Sequence, residues 1–218
     1  MPDILKISPE KPDGVLIAKA VNILKAGGVI AYPTETFYGL GVDGHNEKAI
    51  EKIFAIKGRN FKNPISIIIG NKKDLDQLVE NIPEFSRILL EHFWPGALTI
   101  VFSASLNVSP LLTAGKSKIG IRVSSDPIAT ALTNALSHPI TATSANRSGE
   151  AECTSAQEVI QCIGDHLDAV IDGGKTPGIT GSTIIDVTTF PPVTLREGMI
   201  PISLLHSFFP LTHGSIVP

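Results

Sequence analysis

Four short segments gather hydroxyl, amide, cationic and glycine residues where apolar runs end. The first is Pro33-Thr34-Glu35-Thr36-Phe37-Tyr38-Gly39-Leu40-Gly41. It sets two threonine hydroxyls among turn-favouring residues, and glycine lets backbone approach a ligand closely. The second is Lys57-Gly58-Arg59, followed by Asn63-Pro64. Two cations flank a glycine at a helix end, where they complement the helix dipole or clamp phosphate. Arginine suits the second role because its planar fork holds two oxygens at once. The third, Thr143-Ser144-Ala145-Asn146-Arg147-Ser148-Gly149, offers hydroxyl, amide and backbone donors to a phosphate or a base. The same residues also form Asx and ST turns readily. The fourth pairs Gly181-Ser182-Thr183 with Arg196-Glu197-Gly198. Arg122 interrupts the apolar run Ile119 to Val123. If buried, it requires an anion, either a bound carboxylate or an Asp or Glu of the protein.

Other chemistries find no support. There is no GxGxxG after the first strand, no GxxxxGK[ST] loop and no GxSxG elbow. The six histidines, at 45, 92, 138, 166, 206 and 213, form no HExxH pair, so no metal ligands are assigned. Cys153 and Cys162 form neither a CxxC pair nor a disulfide framework and read as reduced thiols.

The elements that must position these segments alternate between helical and extended patterns. Asp13 to Ala26 reads as a helix with Leu16, Ala20, Ile23 and Leu24 on one face. Asn46 caps a second helix whose buried stripe is Ile50, Ile53 and Phe54. Ile82 to Phe93 reads as a third, with Phe85, Ile88, Leu89 and Phe93 inward. Asp126-Pro127 starts a fourth, carrying Ile128, Leu132 and Leu136. Thr154 with Gln157 fits a capping box for a fifth, ending near Ile163. Strands are expected at Val29 to Tyr32, Ile65 to Ile69, Leu98 to Phe102, Ile119 to Val123 and Ile140 to Thr143. Three more follow at Ala169 to Ile171, Thr183 to Val187 and Val193 to Leu195. Successive strands at 98–123 and 183–195 imply antiparallel pairs within an α/β domain built on a twisted mixed sheet. The 218 residues, 43% hydrophobic and 18% charged, suit one globular domain. A net charge of -3 disfavours a protein that grips nucleic acid mainly by its phosphates. No run is long enough to span a bilayer and the N-terminus lacks a signal-peptide pattern, so a cytoplasmic chain is expected.

Taken in order, PTETFYGLG, KGR with a following NP, WPGALT, IGIRV, TSAN, GSTIIDV and LREG resemble the YrdC/TsaC family of threonylcarbamoyl-AMP synthases. The resemblance runs from about Gly14 to Leu205 and leaves 206–218 as a peripheral tail. It implies a single YrdC-like α/β domain with a large concave cavity. It also implies an activity: threonine, bicarbonate and ATP, with Mg2+, giving threonylcarbamoyl-AMP and pyrophosphate. A tRNA threonylcarbamoyl-transfer complex would take the product, for tRNAs reading codons that begin with A; direct tRNA contact by this chain would be weak. By motif position, Thr36, Arg122 and Ser182 match the threonine site. Arg59, Asn63, Lys118, Ser144, Asn146 and Arg196 match positions around ATP, and Lys57 shares the basic motif with Arg59 as the catalytic pair. Thr34 supports the first loop. Two departures stand out. Ile65-Ser66-Ile67-Ile68-Ile69 lacks the polar residue that members often carry at its end, and Thr141-Ala142-Thr143 stands where proline is common before the serine. Two other readings compete: a non-catalytic RNA-binding module of the same fold, and a nucleotide-binding paralogue with another acceptor.

Overall fold

The computed structural model describes residues 1–208, 210, 212 and 213. In chain order the strands are β1 (Asp3–Lys6), β2 (Ile30–Tyr32), β3 (Gly39–Gly41), β4 (Ile67–Ile68), β5 (Leu98–Ser103) and β6 (Lys118–Arg122). They continue as β7 (Ile140–Thr141), β8 (Thr143–Ser144), β9 (Ala169–Asp172), β10 (Thr183–Asp186), β11 (Val193–Arg196) and β12 (Thr212–His213). The helices are α1 (Gly14–Lys25), α2 (Glu47–Lys57), α3 (Leu75–Leu78), α4 (Arg87–Phe93), α5 (Pro110–Thr113), α6 (Pro127–Leu136), α7 (Ala156–Ile163) and α8 (Ile202–His206).

The strands form two sheets rather than the one expected. The first runs β1-β9-β2-β3-β8 and the second β12-β11-β10-β5-β6-β4-β7. Both mix directions. β2 pairs β9 in parallel and β3 antiparallel, while β5 pairs β10 in parallel and β6 antiparallel. β10 and β11 are antiparallel, as their succession in the chain implied. Alternation along β2 explains the layering, since neighbouring side chains on a strand point to opposite faces. Ile30 and Tyr32 join a core with α1 and α6, while Ala31 joins a larger core with α2, α7 and the second sheet. Each fully buried Ile, Leu or Phe in these cores contributes about 1.5–3 kcal/mol.

Local chemistry sets the helix ends. Asp13 accepts from Val15 N and Leu16 N, Asn46 from Ala49 N, and Asp126 from Ile128 N and Ala129 N. The cap of α7 is Ser155 rather than Thr154. Its hydroxyl accepts from Glu158 N, and the Glu158 carboxylate accepts in turn from Thr154 N at 2.6 Å. Expected helical stripes shift where packing overrides spacing. In α1 the buried residues are Ile17, Ala20, Val21 and Leu24, with Leu16 and Ile23 at the margin. The segment before α4 is a 3₁₀ turn, Glu84–Ser86, which rotates the face so that Leu89 and Leu90 go inward and Ile88 outward.

Three strands, β1, β3 and β12, lie outside the set that the sequence pattern predicts. β1 lies ahead of the resembling stretch and pairs β9 in parallel. β3 had been read as a turn; it is the strand between β2 and β8. Gly41 makes room for a ring, since a Cβ there would meet Tyr32 at 2.7 Å and Ile140 at 2.9 Å, while Gly39 also lines the candidate active-site cavity. Conversely, only Ile67–Ile68 of Ile65 to Ile69 is regular strand. Outside it the backbone still pairs, Ile65 N to Leu112 O and Ile69 N to Arg122 O. Ile68 enters one core while Ile67 and Ile69 enter the other, so the run is unbroken because both faces are covered. Of the tail, Thr212–His213 pairs β11, and residues 209, 211 and 214–218 lie outside the described residues.

Candidate active site

Strand ends from both sheets and the C-terminus of α2 enclose a cavity of about 790 Å³. That is in the range of nucleotide-sized ligand sites. Its lining includes Thr36, Lys57, Arg59, Asn63, Arg122, Ser144, Asn146, Ser182 and Arg196, which are far apart in sequence.

The cationic wall begins where α2 stops. Gly58 takes φ 59, a left-handed conformation suited to glycine, and Arg59 N bonds back to Phe54 O. This reversal sends Lys57 and Arg59 in different directions. Lys57 is buried, and its ammonium donates to Ser144 O at 2.7 Å and to Asn146 O and Oδ1, both at 2.9 Å. Its three protons are therefore spent on the 144–146 loop. Burial, with the nearby Arg59 charge, lowers its pKa to about 8. Arg59 lines the cavity half-buried, and its guanidinium has no hydrogen-bond or ion-pair partner among the described residues. Burial also lowers its pKa.

The opposing loop is built around Asn146. Its Oδ1 accepts from Ser144 Oγ at 2.6 Å and from Lys57, while its Nδ2 donates to Glu150 O at 2.7 Å. Asn146 thus holds the loop's shape with all its polar atoms engaged.

The second pole is Arg122 at the end of β6. It is buried, and its Nη1 lies 3.0 Å from Glu35 Oε1. The pair is close in distance but poorly aligned, because Arg122 Nε and Glu35 Oε1 both lack a hydrogen bond. Glu35 Oε2 accepts from Ser124 Oγ. A buried guanidinium with an unused N–H beside a cavity is suited to a ligand carboxylate. Nearby, Thr34 Oγ1 donates to Phe37 O at 2.7 Å, so Thr36 Oγ1 must donate to Thr34 across their 3.0 Å contact. Thr36 is left with lone pairs for a donor such as an amine. Ser182 Oγ meets Thr99 Oγ1 at 2.8 Å and accepts from Arg196 Nη2 at 3.2 Å. Arg196 also donates twice to Ser182 O. Close backbone packing fixes this corner: a Cβ on Gly198 would sit 2.2 Å from Gly181 O. Burial lowers the Arg196 pKa.

Lys118 is the candidate that the fold does not bring here. It is not part of the lining, and its ammonium is 2.9 Å from Asp186 Oδ2. Several lining residues escaped the sequence reading: Thr99, Ser66, Glu150 and Glu152. Glu35, the partner of Arg122, escaped it too, although it stands between the two threonines of the first motif. Thr99 and Glu35 stand inside the motifs, but their partners Ser182 and Arg122 lie far off in the chain, so no local spacing pairs them.

The Sua5/YciO/YrdC family profile, described as telomere recombination, matches residues 22–198. A threonylcarbamoyl-AMP synthase of Pyrococcus abyssi is 39% identical over 183 residues, 84% of this chain and 54% of that protein. One from Photobacterium profundum is 34% identical over 84% of this chain and 98% of its own length. The crystal structure of P. abyssi Sua5 complexed with L-threonine superposes with a TM-score of 0.94 at 35% identity, covering 97% of this chain and 62% of that one. This chain thus spans about half to two thirds of the Pyrococcus protein. With a family profile over most of its length and close agreement in fold, the chain belongs to the Sua5/YciO/YrdC family.

Proposed function

We propose that this chain makes threonylcarbamoyl-AMP from L-threonine, bicarbonate and ATP, releasing pyrophosphate. The observation that carries the reading is the division of one cavity between two cations: buried Arg122 with an unpaired N–H, and partnerless Arg59. The first suits a carboxylate and the second a phosphate chain. Arg122 takes the threonine carboxylate, Thr36 accepts from its amine, and Ser182 contributes a hydroxyl. Arg59, Asn63, Ser144 and Arg196 take the nucleotide. Bicarbonate and the amine condense to an N-carbamate with loss of water. A carbamate oxygen then bonds to the α-phosphorus as the bond to pyrophosphate breaks. No protein nucleophile is required, so catalysis is positioning and charge stabilisation.

Magnesium fits this lining as a companion of the triphosphate. Glu150 and Glu152 are its carboxylates, too few for a dedicated cage, and Mg2+ is commonly held by one or two carboxylates plus phosphates and water. When bound it neutralises phosphate charge. Residues 14–205 carry every residue in this reading. No described helix is long and apolar enough to cross a membrane. The reading puts the chain in the cytoplasm, handing its product to a tRNA threonylcarbamoyl-transfer complex.

The test is pyrophosphate release from purified protein with ATP, Mg2+ and bicarbonate, with and without threonine. Release that needs both threonine and bicarbonate supports the synthase. ATP binding without threonine-dependent release favours a paralogue with another acceptor. RNA binding that falls steeply with salt, without release, favours an RNA module.

A further inference from the structure

Outside the cavity, the fold assembles a cluster that sequence spacing did not reveal. One ligand atom each from Asp43, His45 and His138 lies within 4.8 Å of the other two. Asp43 is buried, its Oδ2 is 3.0 Å from His138 Nδ1, and the two imidazole rings lie 4.5 Å apart. We propose that Asp43, His45 and His138 form a surface site for a divalent first-row transition ion, zinc by preference.

The donor set supports that class. Two imidazoles and a carboxylate suit zinc and its neighbours, whereas magnesium and calcium favour all-oxygen sites. With bonds of about 2.0–2.2 Å, two ligands on a tetrahedral ion stand about 3.3 Å apart. The Asp43–His138 spacing is close to that already, and the third ligand atom lies within 4.8 Å of both. The His138 side chain is 41% exposed, which gives an ion entry and leaves a position for water.

Backbone preorganises the three ligands. Gly44 N bonds to Pro139 O at 2.8 Å, Asn46 N to Asp43 O at 3.0 Å, and His45 N to Asp43 Oδ1 at 2.9 Å. The site also bears on the cavity through one ribbon. Residues 39–43 and 140–144 run antiparallel, with Gly39 opposite Ser144 at the cavity end and Asp43 opposite Ile140 at the other. A bound ion would pin the far end of the ribbon that presents Ser144, and the entry to α2 that presents Lys57 and Arg59.

The probe is Co2+ added to untagged protein, read by visible absorption and displaced by Zn2+, together with thermal unfolding under each metal. The expected result is one ion per chain and a zinc-induced rise in Tm of the order of 5 °C. Affinity should fall about 10–100-fold or more in His45→Ala and in His138→Ala, whose exposed positions tolerate the change, and in Asp43→Asn. A Cys153→Ser/Cys162→Ser protein should bind as the parent does. Binding that survives the histidine substitutions but not the cysteine ones would overturn the proposal. So would no saturable binding, which would leave the cluster a plain Asp43–His138 hydrogen bond.

Discussion

Lys57 grips Asn146 twice, through the asparagine's backbone carbonyl and its side-chain oxygen, both at 2.9 Å. The two residues belong to different motifs, and the bond joins the cationic wall to the loop opposite. Its three donors are engaged within the protein, so in the proposed function Lys57 acts as a positioning residue and Arg59 as the cation that meets the nucleotide.

The grip depends on pH. The folded pKa of about 8 lies below the ordinary lysine value of 10.5. Between those values the unfolded chain binds more protons than the folded one, so this group makes stability rise with pH across that window. Function moves the other way. Above pH 8 Lys57 loses one of its three donors and the 144–146 loop loosens. KM for ATP should rise with an apparent pKa near 8, while the urea midpoint does not fall. Lys57→Met should remove that inflection and, by leaving the Asn146 backbone carbonyl without its donor, cost about 1–3 kcal/mol in urea unfolding.

Arg59 should behave oppositely. Its guanidinium makes no hydrogen bond or ion pair with a described residue. Arg59→Ala should leave the urea midpoint within about 0.5 kcal/mol of the parent. Nucleotide affinity should drop about 10–100-fold, the equivalent of one or two charge-assisted hydrogen bonds, when measured by calorimetry. A large loss of stability would show that Arg59 has a structural partner.

For Arg122 the counter-ion decides. Removing Glu35's charge by Glu35→Gln strands a buried guanidinium and should cost about 3 kcal/mol of stability. Arg122→Lys keeps the charge but loses the fork. It should raise KM for threonine at least about tenfold with a smaller effect on KM for ATP. Equal effects on both would argue that Arg122 supports the whole cavity rather than one substrate.

Lys118 should prove dispensable. Its ammonium is on Asp186, with the lysine side chain 44% exposed. Such pairs are worth about 0–1 kcal/mol, so Lys118→Ala should leave both KM values within about twofold.

Much of this was legible in the residues themselves. Asp13, Asn46 and Asp126 cap helices because a short polar side chain before an apolar run satisfies the first free amides, which is local chemistry. The strands at 98–102, 119–123 and 183–187 declare themselves by β-branched apolar runs. The motifs around Thr36, Arg59, Ser144, Ser182 and Arg196, taken in order, carry the family resemblance, and the fold brings them to one cavity. What no local pattern contains is who faces whom. Lys57 and Arg59 are equivalent cations in sequence; only the left-handed turn at Gly58 buries one and opens the other. Glu35 and Arg122 become partners because both chain segments end at the same cavity edge. Lys118 shares a strand with Arg122, yet Asp186 from β10 captures it. The Asp43, His45 and His138 cluster exists only because β3 and β7 bring their far ends together. Caps and strand propensity are settled within a few residues, where neighbours are covalently guaranteed. Ion pairs, ligand sites and metal clusters are settled by contacts between distant segments, and those come into being only when the chain folds.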